Sequence, residues 1–276
     1  MASTAEMTHV GERTGAEPGR DVEAAAFPVL EPVRDAPAAR LGERLRGRHP
    51  ALVFALSAVV GWMLLAVAMI GLGLLVTEAL LSLDGVAAAD LDAVEWLVDL
   101  RRPFLDDLSV VGSSISGQIG IPAAVALACL VLALQRRWRA AGFLLAAILV
   151  EVVTYRTTTW TVERERPDVP RLEGLDPLAG FPSGHVAASV AVYGGLALLL
   201  SSQVRSRAFT LAIWILVLAV VAFAATSRVY RGMHHPTDVG GGLVMGAGAL
   251  LVALCAARAS GVAARARQGR EVAVSS

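Results

Sequence analysis

The sequence contains no lysine, and all 24 of its basic residues are arginine. The absence is read as a compositional bias, and it returns below at a position where a positive charge is expected. Cysteine is nearly absent too. Cys129 and Cys255 both lie inside apolar runs, which excludes a disulfide framework and fits two small buried hydrophobes. Charge of one sign is lacking, since 24 acids balance the arginines. A chain without a global basic field is not a nucleic-acid binder by charge. No set of residues has convincing metal-ligand spacing, and no internal repeat is visible. What the chain has is apolar residues: 55% of 276, with a mean hydropathy of +0.61. That excludes an ordinary soluble domain.

Residues 1–49 are rich in Ala, Glu, Pro and Arg without a sustained apolar period. Their composition predicts a mostly disordered tail, too long ahead of the first apolar run for a cleaved signal peptide. Six apolar runs follow, at 51–76, 115–134, 140–157, 185–200, 208–226 and 239–257. A bilayer crossing needs about 20 apolar residues. The third and fourth runs are short, but flanking residues can extend them. The expected fold is therefore all-α: a polytopic six-helix membrane bundle over 50–258, with residues 259–276 as a second tail.

Arginines cluster at 40–48, 136–139, 205–207 and 258–270. Six crossings put all of these clusters on one side, which the positive-inside rule makes cytoplasmic. The intervening loop 79–107 carries seven acids and only Arg101 and Arg102 as basic residues. Both termini are thus expected inside. Within that loop, 88–100 has helical apolar spacing. It is either an interfacial helix anchored by Trp96 or a plain amphipathic connector.

Three polar clusters interrupt the apolar pattern, all at the outer ends of the third to sixth spans. Ionisable residues at membrane depth are costly and so are functional candidates. Arg164-Glu165-Arg166-Pro167 alone reads as a charged turn closing a helix. Phe181-Pro182-Ser183-Gly184-His185 opens the fourth span. There Ser183 could cap the helix and leave its first amides for an anion, or His185 could be incidental. The third cluster runs from Ser227 to Asp238. Arg228 offers a fork for phosphate oxygens. His234 and Asp238 are four apart, within one helical turn, so the carboxylate could orient the imidazole or simply cap the last helix. Glu151, inside the third span, receives no catalytic role.

Together these clusters resemble the type 2 phosphatidic acid phosphatase superfamily, which also includes vanadium-dependent haloperoxidases. Its pattern is K-x6-RP, PSGH and SR-x5-H-x3-D. Here it is met by Arg166-Pro167, by Pro182-Ser183-Gly184-His185, and by Ser227-Arg228 with His234 and Asp238. The resemblance covers about 140–257 and departs at one position, where Thr159 replaces the lysine. Arg156, three residues earlier, or Arg164 is the expected source of the missing charge.

The resemblance implies that Arg166, Arg228, Ser183, Gly184 and Arg156 bind phosphate. It implies that His234, oriented by Asp238, attacks phosphorus, and that His185 protonates the leaving group. The implied substrate is a lipid phosphate monoester or pyrophosphate, met at the outer face of the bilayer, with no cofactor or metal. Three other readings remain open: a haloperoxidase, a lipid phosphotransferase, and a non-catalytic lipid-phosphate binder or transporter. The sequence carries no information on oligomeric state.

Overall fold

The structure is a computed structural model that describes residues 27–33, 36–174 and 178–275, with side chains to residue 270. The expectation for residues 1–26 lies outside the described residues. Among the described residues, a short 3₁₀ turn at Pro28–Leu30 precedes nine helices: α1 Pro37–Arg44, α2 Pro50–Leu80, α3 Asp84–Asp99, α4 Pro103–Ile115, α5 Gly120–Leu134, α6 Trp138–Val162, α7 Gly184–Gln203, α8 Arg207–Tyr230 and α9 Pro236–Ser275. No strand occurs among the described residues.

Local chemistry sets the helix ends. Proline opens α1, α2 and α4, at a position where its missing N–H has no intrahelical role. The Ser206 hydroxyl accepts the Phe209 N–H at 3.3 Å to cap α8. α6 closes on Glu163, whose φ of 46° is left-handed.

Five helices, α2 and α6 to α9, are long and apolar enough to cross a membrane. α4 and α5 pass the same test only as a pair, bent by 41° between them, and count as a sixth span when the pair is taken as one. Five to six spans thus stand against the six expected, and the run at 115–134 is not a continuous helix. The break has a local cause. Ser116 turns its hydroxyl back to the Gly112 carbonyl at 2.7 Å, and Gly120 lies so close to the Ile115 backbone that a Cβ would collide with it.

α6, α7 and α9 form the inner part of the bundle, and α2 lies across α6 and α9. Phe143, Leu144 and Ala147 of α6 pack with Leu199, Ala253 and Ala257. A second cluster, of Met69, Phe181, Ala187 and Met245, sits beneath the polar end of the bundle. α2 and α8 turn Met63, Leu64, Val67, Leu211, Leu216 and Leu218 outward. In water such a belt would be unstable; in a bilayer it faces lipid.

Two segments expected as tails carry helix. α1 packs against the far end of α9. α9 continues beyond residue 258, where Ala259 and Ala263 bury against Val53. α3 is a regular helix with Trp96 exposed, but it buries Asp90 and Val94, so it is more than a connector.

Candidate active site

The three polar clusters meet at one end of the bundle. Backbone bonds tie them together: Gly180 N–H to the Arg164 carbonyl at 2.8 Å, and Ser183 N–H to the Asp238 carbonyl at 3.0 Å. Gly242 of α9 packs so closely on the Ser183 carbonyl that a Cβ there would lie 2.5 Å from it. That close approach brings the α9 entrance against the loop before α7.

His234 is 2% exposed, in the link between α8 and α9. Its Nδ1–H donates to the Gly180 carbonyl at 2.7 Å. A carbonyl can only accept, so the neutral ring keeps its lone pair on Nε2. Nε2 lies 3.4 Å from Nη1 of Arg166, which also donates to the Met233 carbonyl at 2.6 Å. The Asp238 carboxylate is 3.8 Å from His234 Nδ1. It is therefore a charge beside the ring, while Gly180 supplies the hydrogen bond. Burial pushes His234 down to about 4; Asp238 opposes this, and Arg166 and Arg228 reinforce it. The ring is thus a neutral imidazole across the neutral pH range. His235 points elsewhere: its N–H donates to Asp238 Oδ2 at 2.7 Å, with Nδ1 3.3 Å from the same oxygen.

Arg228, 0% exposed, divides its donors. Nη1 donates to Ser113 Oγ at 2.6 Å and to Glu173 at 2.9 Å. Nε and Nη2 are buried with no hydrogen-bond partner among the described residues, and so is the Ser183 hydroxyl. Ser183 therefore does not cap α7 with its side chain. Buried polar atoms without partners are costly and rare, and these face the same end of the bundle as the histidines. Glu173 also accepts from Arg231 at 2.6 Å and from Ser113 at 2.9 Å. Burial alone would raise its carboxyl, but Arg228, Ser113 and Arg231 hold it down to about 2.

His185 opens α7 within electrostatic reach of Arg228, His234, Glu173 and Arg166. The two histidines are thus on one side of the bundle and share one set of charges. A cavity of about 360 Å³ opens beside His185, between Glu173 and the α4–α5 break, with Ser113, Ser114 and Gln118 in its wall. Tyr155 of α6 packs its ring against Gly184. Among the described residues, no group of three or more His, Cys, Asp or Glu side chains could hold a metal ion.

Asp238 is anchored from behind. Arg164 donates to Asp238 Oδ1 at 2.5 Å and to Asp90 Oδ2 at 2.7 Å. Asp90, on α3, accepts the Thr237 N–H at 2.9 Å and the Thr237 hydroxyl at 2.6 Å. All three charged groups are buried. Such a network is destabilised strongly by losing one member. Asp90→Asn should lower kcat about 10- to 100-fold, because Arg164 loses its anchor and Asp238 shifts behind His234. KM should change little, since Asp90 sits behind Asp238 and away from the unpartnered donors of Arg228 and Ser183. Steady-state kinetics alongside a thermal unfolding curve would check this, and an equal rise in KM would count against a positioning role.

A family comparison matches residues 140–261, from α6 through most of α9, to the PAP2 superfamily. The match spans somewhat less than half of the chain, and over it the chain is similar to the PAP2 superfamily. Among solved structures the fold is similar to "the first transmembrane PAP2 type phosphatidylglycerolphosphate phosphatase from Bacillus subtilis", at 21% identity and a TM-score of 0.58, over 72% of this chain and 92% of that one. Aquifex aeolicus LpxE aligns at 22% identity and a TM-score of 0.49, over 59% of this chain and 93% of its own. No curated protein matches the chain.

The PAP2 motif residues His185, His234, Asp238, Arg166, Ser183, Gly184 and Arg228 gather at this site. Arg156 does not. Tyr155 takes the α6 face towards Gly184, and the next residue is rotated by about 100°. Arg156 is exposed and makes no hydrogen bond or ion pair among the described residues. Arg164 is occupied by Asp90 and Asp238. Thr159, in place of the PAP2 lysine, places its hydroxyl 3.5 Å from the Phe181 carbonyl. Neither arginine is thus placed among the motif residues as an uncommitted charge, and Arg156→Ala should leave hydrolysis within about twofold of wild type, as expected for an exposed residue.

Asp90, Ser113 and Glu173 have no place in the PAP2 motifs. Asp90 had a signal: it stands four residues before Val94, inside the apolar stripe of α3. Ser113 belongs to a small-residue stripe with Ser109, Gly112 and Ser116, all buried. Glu173 lies in a loop and had none.

Proposed function

We propose that this protein is a membrane phosphatase that hydrolyses a lipid phosphate through a phosphohistidine. The observation that carries the reading is the set of buried, unpartnered donors, Arg228 Nε and Nη2 and Ser183 Oγ, in the same site as the lone pair of His234 Nε2. Two guanidinium N–H groups suit two oxygens of one phosphoryl group. The match of residues 140–261 to the PAP2 superfamily and a fold similar to that of a membrane phosphatase support the same reading.

In the proposed cycle the phosphoryl group lies against Arg228, Ser183 and the first amides of α7, whose dipole favours an anion. His234 Nε2 forms the N–P bond as the P–O bond to the alcohol breaks. Donors fixed in advance stabilise the charge that spreads over the phosphoryl oxygens. Protonated His185 passes its proton to the departing alkoxide. It then takes a proton from the water that attacks phosphorus, which releases phosphate and restores both rings. Lipid tails stay in the bilayer beside the apolar belt, and the arginine distribution supports a site outside and termini inside.

Release of phosphate by the purified protein, in detergent or liposomes over a panel of lipid phosphates, tests the proposal. Binding of a lipid phosphate without release would instead favour the non-catalytic reading, for which the neutral Thr159 is the feature to weigh.

A further inference from the structure

We propose that the end of the bundle opposite the active site carries a second phosphate-recognising pocket, which holds the headgroup of an anionic phospholipid. A cavity of about 880 Å³ lies there between α1, the segment around Pro32 and the last turns of α9. Four arginines line it, Arg40, Arg44, Arg46 and Arg265, against one carboxylate, Glu43. It is remote from the catalytic residues: those lie at the start of α9, whereas Val262 and Arg265 lie more than 20 residues further along the same helix.

Two of the four arginines have an acidic partner and two have none among the described residues. Arg265 pairs with Glu31, and Arg46 lies 3.8 Å from Glu43 with both side chains largely exposed. Arg40 and Arg44 make no ion pair among the described residues. They stand one turn apart on α1, so their guanidinium groups share a face and can take separate oxygens of one phosphate.

The pocket is also built in advance. Ala38 and Gly42 are the buried face of α1, and Gly42 lies so near the Ala259 carbonyl and Val262 that a Cβ would stand 2.7 Å from each. Any larger residue would push α1 off α9. The opposite wall is stapled as well. Arg139 donates to Glu31 at 2.8 Å and to the Leu30 carbonyl at 3.1 Å, and Arg258 donates to the Val29 carbonyl at 3.0 Å.

The position selects a lipid over a soluble anion. α2 enters the membrane at Pro50, six residues after α1 ends, so the pocket lies at headgroup depth. Its other walls are apolar, with Val33 half exposed and Val262 nearly buried, which suits the glycerol and first methylenes of a lipid. Arginine clusters beside a span attract anionic lipids through the surface potential. Here a shaped, arginine-lined cavity adds a defined seat to that general attraction.

The test uses the full-length protein in detergent with dioctanoyl phosphatidylglycerol, a phosphodiester that the proposed phosphatase chemistry does not consume. Native mass spectrometry and thermal unfolding should show a bound lipid and a raised midpoint. Dioctanoyl phosphatidylcholine and inorganic phosphate should do neither. Arg40→Gln with Arg44→Gln should weaken binding at least tenfold, while His234→Ala binds as wild type does. Equal binding of phosphatidylcholine would overturn the proposal, and so would an equal response to inorganic phosphate. Unchanged binding by the double variant would overturn it as well. If that variant fails to fold, the comparison of the three ligands on the wild-type protein decides.

Discussion

Replacing His234 by alanine is expected to lower phosphate release from a lipid phosphate by about 10⁴-fold or more, the scale seen when a nucleophile is removed. Replacing His235 should leave release within a few-fold of wild type. The two rings are adjacent in sequence, and the structure separates them. His234 is held by the Gly180 carbonyl, so that Nε2 carries the lone pair and faces Arg166. His235 is turned towards Asp238, and the stronger of its two contacts is made by its backbone N–H. Alanine keeps that bond. Because burial holds His234 down to about 4, protonation removes the nucleophile only near that pH, and its share of the rate should persist from there upward. A labelled phosphoryl group trapped on wild-type protein and missing from His234→Ala would locate the intermediate. Activity surviving in His234→Ala and lost in His235→Ala would move the nucleophile by one residue and undo the mechanism.

Arg228→Lys should cost about 10²–10³-fold in kcat/KM, comparable to removing a preorganised donor from a charge-stabilising site. Charge is conserved in this change, so the expected loss comes from geometry. Arg228 donates Nη1 to Ser113 and Glu173 and leaves Nε and Nη2 buried without a partner among the described residues, the two donors proposed to meet the phosphoryl group. A lysine ammonium concentrates its donors on one atom and cannot reach the carboxylate and two phosphoryl oxygens together. It would also leave Glu173 with Arg231 and Ser113 alone. Steady-state kinetics of phosphate release would check the figure. A variant that kept more than a tenth of wild-type kcat/KM would show that the fork is not what holds phosphorus in place.

Much of this site was legible in the sequence because its signals are local. Apolar runs of membrane length locate the spans, and fixed offsets such as Arg228 to His234 to Asp238 survive any uncertainty in helix ends. The break between α4 and α5 was missed although Ser116, Gly117 and Gly120 mark it, since an apolar average hides a short polar insert. The buttress was not legible. Asp90 and Arg164 are 74 residues apart, and Arg228 and Glu173 are 55 apart. No periodicity links such pairs, and only the folded chain brings them together. Arg156 failed for the opposite reason. Its spacing from Thr159 is helical, but the face it shares is decided by packing, which Tyr155 wins.

The Asp90 carboxylate comes from α3, upstream of residues 140–261. The catalytic end is therefore not a portable module. A chimera that grafts the motif-bearing segment onto the front half of a distant relative would inherit both histidines and the Arg166 and Arg228 guanidiniums, yet leave Arg164 with Asp238 as its one remaining acidic partner in this network and Thr237 without its carboxylate. Such a graft would need a donated acid at the matching point of the host's amphipathic helix before it could turn over, so a swap of the rear half alone should fail unless that carboxylate travels with it.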